Sequence, residues 1–167
     1  YDDIHRIESD IVVKNGGELK VLEGGILALS TGKKIIVEPG GRFILNGTIT
    51  SGCNGLIGGV EVWGNPDMPQ DTENQGYMKI TGGVIENANI GILMGKSAPG
   101  NPDSDPLPEP SSEPRGGGIL LAENAIMHNN RYGVVFHSYP QSNQSYFKTC
   151  TFETSVVLPQ YTRPEYF

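Results

Sequence analysis

Apolar residues along this chain come in short alternating bursts, each closed by glycine or asparagine. The run Ile11-Val12-Val13-Lys14-Asn15-Gly16-Gly17-Glu18-Leu19-Lys20-Val21 returns 24 residues later as Ile35-Ile36-Val37-Glu38-Pro39-Gly40-Gly41-Arg42-Phe43-Ile44-Leu45. Each copy is a β-branched burst, a Gly-Gly corner and a second alternating burst, the pattern of half-buried strands. A unit this short cannot bury its own apolar face, so it must stack on copies of itself.

Downstream the wording loosens while the order holds. Gly59-Val60-Glu61-Val62-Trp63 matches Gly91-Ile92-Leu93-Met94-Gly95 and Gly133-Val134-Val135-Phe136-His137. Tyr77–Asn89 parallels Ile119–Asn130, and Phe147-Lys148-Thr149-Cys150-Thr151-Phe152 is a last partial copy. Gly and Asn at the corners tolerate the left-handed backbone that sharp turns require. Strands that return to the same face after one turn pair in parallel, and the handedness rule for parallel connections makes the coil right-handed. The predicted fold is all-β: a right-handed parallel β-helix of about five to six coils, roughly 25–30 Å long at the usual strand spacing, with loop insertions on one side. Residues 1–10 read as an N-terminal cap or lead-in, 11–155 as coils, and 156–167 as a tail or the start of a further coil.

The insertions fall at 64–76, 96–117 and 138–145, each after the same kind of strand, which in a solenoid stacks them on one face. The first carries Asp67 and Asp71, the second is rich in proline and acid, and the third is polar. Loops gathered on one face of a rigid scaffold are where function tends to sit.

Composition fits this picture. Of 167 residues, 23 are Gly and 12 Pro and only 19% are charged, which suits many short strands and tight corners over helices. A net charge of −7 without any basic cluster argues against nucleic acid as a partner. No apolar stretch approaches the roughly 20 residues of a membrane-spanning helix. Cys53 and Cys150 are too few for a disulfide framework; they could pair across the fold, but their apolar strand context favours small core residues.

Candidate chemistry is sparse. Asp103-Ser104-Asp105 offers the best oxygen cluster for Ca²⁺, the one cofactor the loops suggest, although it lacks the spacing of a calcium loop. Trp63, at the base of the first loop, could be a platform for a sugar ring or an anchor beneath the loop, and Tyr139 adds a second aromatic. With Asp67, Asp71 and His137 these form the candidate binding set. His128-Asn129-Asn130-Arg131 reads as a polar corner stacked on Asn87 and Asn89, with side chains bonded from coil to coil. Glycoside hydrolysis needs paired carboxylates; Glu61 and Glu86, if brought together on adjacent coils, are the only such pair the strands suggest. Nucleophile-elbow, phosphate-loop and metal-spacing motifs are all missing.

The stretch Lys34–Phe43, then Thr50-Ser51-Gly52-Cys53 and Gly59–Asn65, resembles the β-helix repeat regions of large exported proteins from Bacteroidetes, which often end in a type IX secretion sorting domain. That resemblance implies the pectin-lyase-like superfamily shape and an extracellular or cell-surface home. It does not imply lyase activity, since the fold hosts enzymes, adhesins and stalks. The expected function is a non-catalytic structural or binding module whose stacked loops hold a polysaccharide or a surface protein; the alternative is a polysaccharide-active lyase or hydrolase. The final segment carries no polar cap, so the coil is expected to continue in a longer parent, with an open end prone to self-association.

Overall fold

The computed structural model describes residues 6–97 and 115–155. Each apolar burst is a short strand and each Gly or Asn stop is a corner, so the chain winds with three strands to the coil. A lead-in strand, β1 (Arg6–Ile7), precedes five coils. These are β2 (Ile11–Val13), β3 (Glu18–Val21) and β4 (Ile26–Leu29); β5 (Lys34–Val37), β6 (Arg42–Leu45) and β7 (Thr48–Ser51); β8 (Ile57–Val62), β9 (Tyr77–Thr81) and β10 (Val84–Glu86); β11 (Ala88–Met94), β12 (Ile119–Glu123) and β13 (Ile126–His128); and β14 (Tyr132–Phe136), β15 (Tyr146–Lys148) and β16 (Thr151–Glu153). Every third strand pairs in parallel. Sheet A is β1-β4-β7-β10-β13-β16, sheet B is β2-β5-β8-β11-β14, and sheet C is β3-β6-β9-β12-β15. This is a parallel β-helix, and among the described residues every regular element is a strand.

The register follows the repeat read from the sequence. Ile11 pairs with Ile35 and Val13 with Val37, and Tyr77 pairs with Ile119. Inward-pointing residues line up in columns: Leu19, Phe43, Met78 and Leu120 on sheet C, and Val13, Val37, Val62 and Met94 on sheet B. Phe43 and its neighbours in the middle coils are wholly buried, so one narrow core runs the length of the solenoid. Burying such side chains contributes about 1.5–3 kcal/mol each, which is how modest apolar content suffices.

Corners stack as well. Gly16 and Gly40 share φ near +76°, and the Gly16 N–H donates to the Gly40 carbonyl. Between sheets A and B the left-handed corner residues are Asn87 and Asn129. The coil-to-coil bonds there come mainly from the next residue: Asn130 accepts from the Ala88 N–H and donates to the Ile85 carbonyl. Gly59 sits at φ +90°, where an added Cβ would lie 1.7 Å from the Ile90 carbonyl oxygen, and the register of β11 on β8 slips between Ile90 and Ile92. A glycine is required at that bulge.

Both cysteines are free thiols. Cys150 packs against the core as expected, whereas Cys53 is exposed, because it falls in the turn after β7 and not on a strand. On the last described coil the inward positions Phe136, Phe147 and Phe152 remain 43%, 40% and 53% exposed, packed edge to face on one another. No helix among the described residues is long and apolar enough to cross a membrane.

Candidate functional site

The connections β8–β9, β11–β12 and β14–β15 all join sheet B to sheet C, so the three insertions leave the coil at one corner. Two buried glutamines stitch them together. Gln75, fully buried, folds the first loop onto itself: its Oε1 accepts from the Asn65 N–H at 2.6 Å, and its Nε2 donates to the carbonyls of Asn65, Met68 and Pro69. Gln70 reaches outward, donating to the Gly117 and Gly118 carbonyls at the root of the second loop and to Asn143 in the third. It also accepts from the Gln144 N–H. The Tyr139 hydroxyl donates to the Met68 carbonyl at 2.8 Å. The first and third loops therefore meet, although they leave coils two apart. Between them lies an open cleft of about 600 Å³ lined by Pro69, Gln70, Tyr139, Pro140, Gln141, Ser142 and Gln144.

Of the expected binding residues, Tyr139 lines this cleft, and Asp71 is close enough for its charge to act on the phenol. Partial burial first, and then that charge, push the Tyr139 hydroxyl above its ordinary value. Asp71 is itself committed: its Oδ1 accepts from the side chain and N–H of Asn74 and from the Glu73 N–H, bonds that hold its carboxyl below the usual range. Asp67 is exposed in a turn closed by Asn65. His137 follows β14, its N–H bonded to the Met94 carbonyl, and Trp63 follows β8, two coils away. Asp103 and Asp105 lie outside the described residues. Among the described residues no group of three or more acidic, His or Cys side chains could hold a metal ion.

Trp63 is engaged on several sides. Its indole N–H donates to Glu61 Oε2 at 2.7 Å. Lys96 and Arg115, from the two roots of the second loop, lie 5.1 and 5.3 Å from its ring centre. Each such cation–π contact contributes about 0.5–1 kcal/mol when exposed. The ring thus ties both ends of that loop to sheet B. Beneath it Glu61 is only 4% exposed, and its Oε1 accepts from Lys34 Nζ at 2.6 Å and from the Ser97 hydroxyl.

Glu61 and Glu86 are not brought together. Glu61 lies on sheet B, opposite Ile36 and Leu93, and Glu86 on sheet A, opposite His128. With three sides to each coil, positions on β8 and β10 face different directions, so they cannot flank one bond.

Sheet A carries a separate polar ladder on its outer face. Ala28, Thr50, Glu86, His128 and Glu153 occupy one outward column, inferred from their shared register. Thr50 Oγ1 donates to Glu86 Oε1 at 2.8 Å, Glu86 Oε2 lies 3.2 Å from His128 Nδ1, and His128 Nε2 lies 2.9 Å from Ser155 Oγ. His128 therefore does more than fill a corner.

No family model matches the chain, and neither the curated proteins nor the solved structures contain a match.

Gln70, Gln75, Lys34 and Ser155 carry much of this organisation and were not singled out from the sequence. A lone Gln in a loop has no spacing signature, and Ser155 lies beyond the last readable strand. The register of Glu86 on His128 was implicit in the parallel between Tyr77–Asn89 and Ile119–Asn130.

Proposed function

We propose that the chain is a rigid β-helix module of a secreted or cell-surface protein that holds a polysaccharide, without cleaving it, in the cleft between its first and third loops. The observation that carries this reading is the chemistry of the cleft. Its lining is uncharged, although the chain as a whole has a net charge of −7: Gln70 is held by its protein partners, and Gln141, Gln144, Ser142 and Tyr139 bring amides, a hydroxyl and an aromatic ring to the cleft. Amides and hydroxyls that both donate and accept match the hydroxyls of a neutral sugar, and an aromatic ring offers an apolar face. Loops bonded to one another present these groups with little ordering cost on binding. The exported β-helix proteins of Bacteroidetes, with the pectin-lyase-like shape, remain the proposed setting, on the strength of residues 34–65.

The test is retention on a panel of neutral and anionic polysaccharides, with released sugars measured in parallel. Retention on a neutral polymer without released sugars is expected, weakened at least several-fold in Tyr139→Ala and in Gln141→Ala with Ser142→Ala. No retention on any polymer would refute the binding reading, and released sugars would replace it with the enzymatic one.

A further inference from the structure

We propose that the outer face of sheet A carries a hydrolytic site, separate from the loop face, in which Ser155 is the nucleophile, His128 its general base and Glu86 the residue that orients the imidazole. Its substrates are small acyl esters, such as acetyl groups carried on a polymer.

The geometry begins with the coil. Parallel register sets Glu86 and His128 directly opposite each other on β10 and β13, about 4.8 Å apart between strands. Glu153 of β16 is the next residue in that column, and the chain then brings Ser155 back over the histidine. The Ser155 N–H donates to Asn129 Oδ1 at 2.8 Å, which fixes the backbone of the serine. Thr50 holds the far oxygen of Glu86, leaving Oε2 for the ring.

This order of partners dictates the tautomer. An ionised carboxylate only accepts, so the neutral imidazole carries its proton on Nδ1 and turns the Nε2 lone pair toward Ser155 Oγ. That is the state a general base needs, and the two distances, 2.9 Å from His128 to Ser155 and 3.2 Å to Glu86, fall in the range expected of a nucleophile, its base and an orienting acid. Stacking the coils would require only the Glu86–His128 contact; a hydroxyl on the remaining nitrogen is the additional feature. The Asn129 amide also lies beside this hydroxyl, its Nδ2 and Oδ1 each 3.4 Å from Ser155 Oγ, so the serine is held in place from a second side.

The chemistry follows from these groups. Ser155 Oγ bonds to the ester carbonyl carbon while its proton passes to His128 Nε2. The tetrahedral intermediate collapses, the bond from carbon to the alcohol oxygen breaks, and His128 returns the proton to the leaving alkoxide. Water then bonds to the acyl carbon while its proton passes to His128 Nε2; the bond from that carbon to Ser155 Oγ breaks, His128 returns the proton to Oγ, and the carboxylic acid leaves with Ser155 restored. Ser155 is exposed, and the side chains of His128 and Glu86 are about a quarter exposed, so the site is open to a large carrier. None of the three lines the cleft at the loops, and a shallow face suits a short acyl group better than a long one.

The experiment combines a fluorophosphonate probe, with peptide mapping of the modified residue, and hydrolysis of p-nitrophenyl acetate by the wild type, Ser155→Ala, His128→Gln and Glu86→Gln. The expected result is a phosphonyl group on Ser155 and a rate falling at least about 100-fold in Ser155→Ala, where His128 remains and reports any imidazole-only background. Glu86→Gln, a positioning change, should keep the melting temperature within a few degrees yet lower the rate, because its amide favours the opposite tautomer. Equal rates in wild type and Ser155→Ala, or no probe on Ser155, would overturn the proposal. Neither outcome bears on polysaccharide retention at the loops.

Discussion

Replacing Gln75 with leucine tests whether the loop face is a built surface or a set of independent insertions. Leucine keeps most of the volume and removes every polar contact. It leaves the Asn65 N–H and the carbonyls of Asn65, Met68 and Pro69 without this partner. The three carbonyls keep other donors: the Met68 N–H on Asn65, the Tyr139 hydroxyl on Met68 and the Asp71 N–H on Pro69. Only the Asn65 N–H is left unpaired, and a buried polar group in that state costs about 1–3 kcal/mol. With the bonds lost at the carbonyls, and water reaching the exposed backbone of Asn65, Met68 and Pro69 once the loop loosens, the cost is about 2–3 kcal/mol. For a domain of this size that corresponds to a fall in melting temperature of about 4–12 °C. Thermal unfolding followed by circular dichroism measures it, and limited proteolysis should show faster cleavage within 64–76. The variant should also lose polysaccharide retention, since Gln70 and Tyr139 bond across from that loop. A melting temperature within about 1 °C of wild type, with unchanged proteolysis, would show that Gln75 does not organise the face.

Two further outcomes follow from single positions. Gly59→Ala places a methyl against the Ile90 carbonyl at a left-handed backbone angle, so a loss above about 4 kcal/mol is expected, seen as failure to recover folded protein; a soluble variant melting near wild type would contradict the bulge. Asp71→Asn should lower the Tyr139 pKa toward the ordinary 10.0 without restoring it fully, because burial, not the Asp71 charge, is the larger cause. With the Tyr139 pKa raised in the folded state, its contribution is full below pH 10.0 and is lost as pH rises through the folded value; Asp71, lowered, contributes above 3.8 and loses it as pH falls through its folded value. Phenolate absorbance against pH reads the first, and an unshifted curve in Asp71→Asn would refute the coupling.

The coil itself was legible because its determinants are local and repeated. A Gly-Gly corner after a β-branched burst, met twice at Gly16-Gly17 and Gly40-Gly41, fixes where strands end, and alternation fixes which side is buried. Stacking then leaves little choice of register, since a slip by one residue would turn Ile35 and Val37 outward. Placing the insertions after matching strands likewise put them on one corner. What the pattern could not supply was anything dependent on how many sides a coil has. Three sides send Glu61 and Glu86 in different directions, and carry Ser155 back to the imidazole that the repeat already stacks on Glu86. Nor could it supply the joining of loops two coils apart, because Gln70 and Gln75 act through amides whose partners are backbone atoms. Such groups leave no trace in hydropathy or spacing. Periodic burial is written residue by residue, whereas a polar site is an agreement between distant atoms, and only the folded coil decides which of them meet.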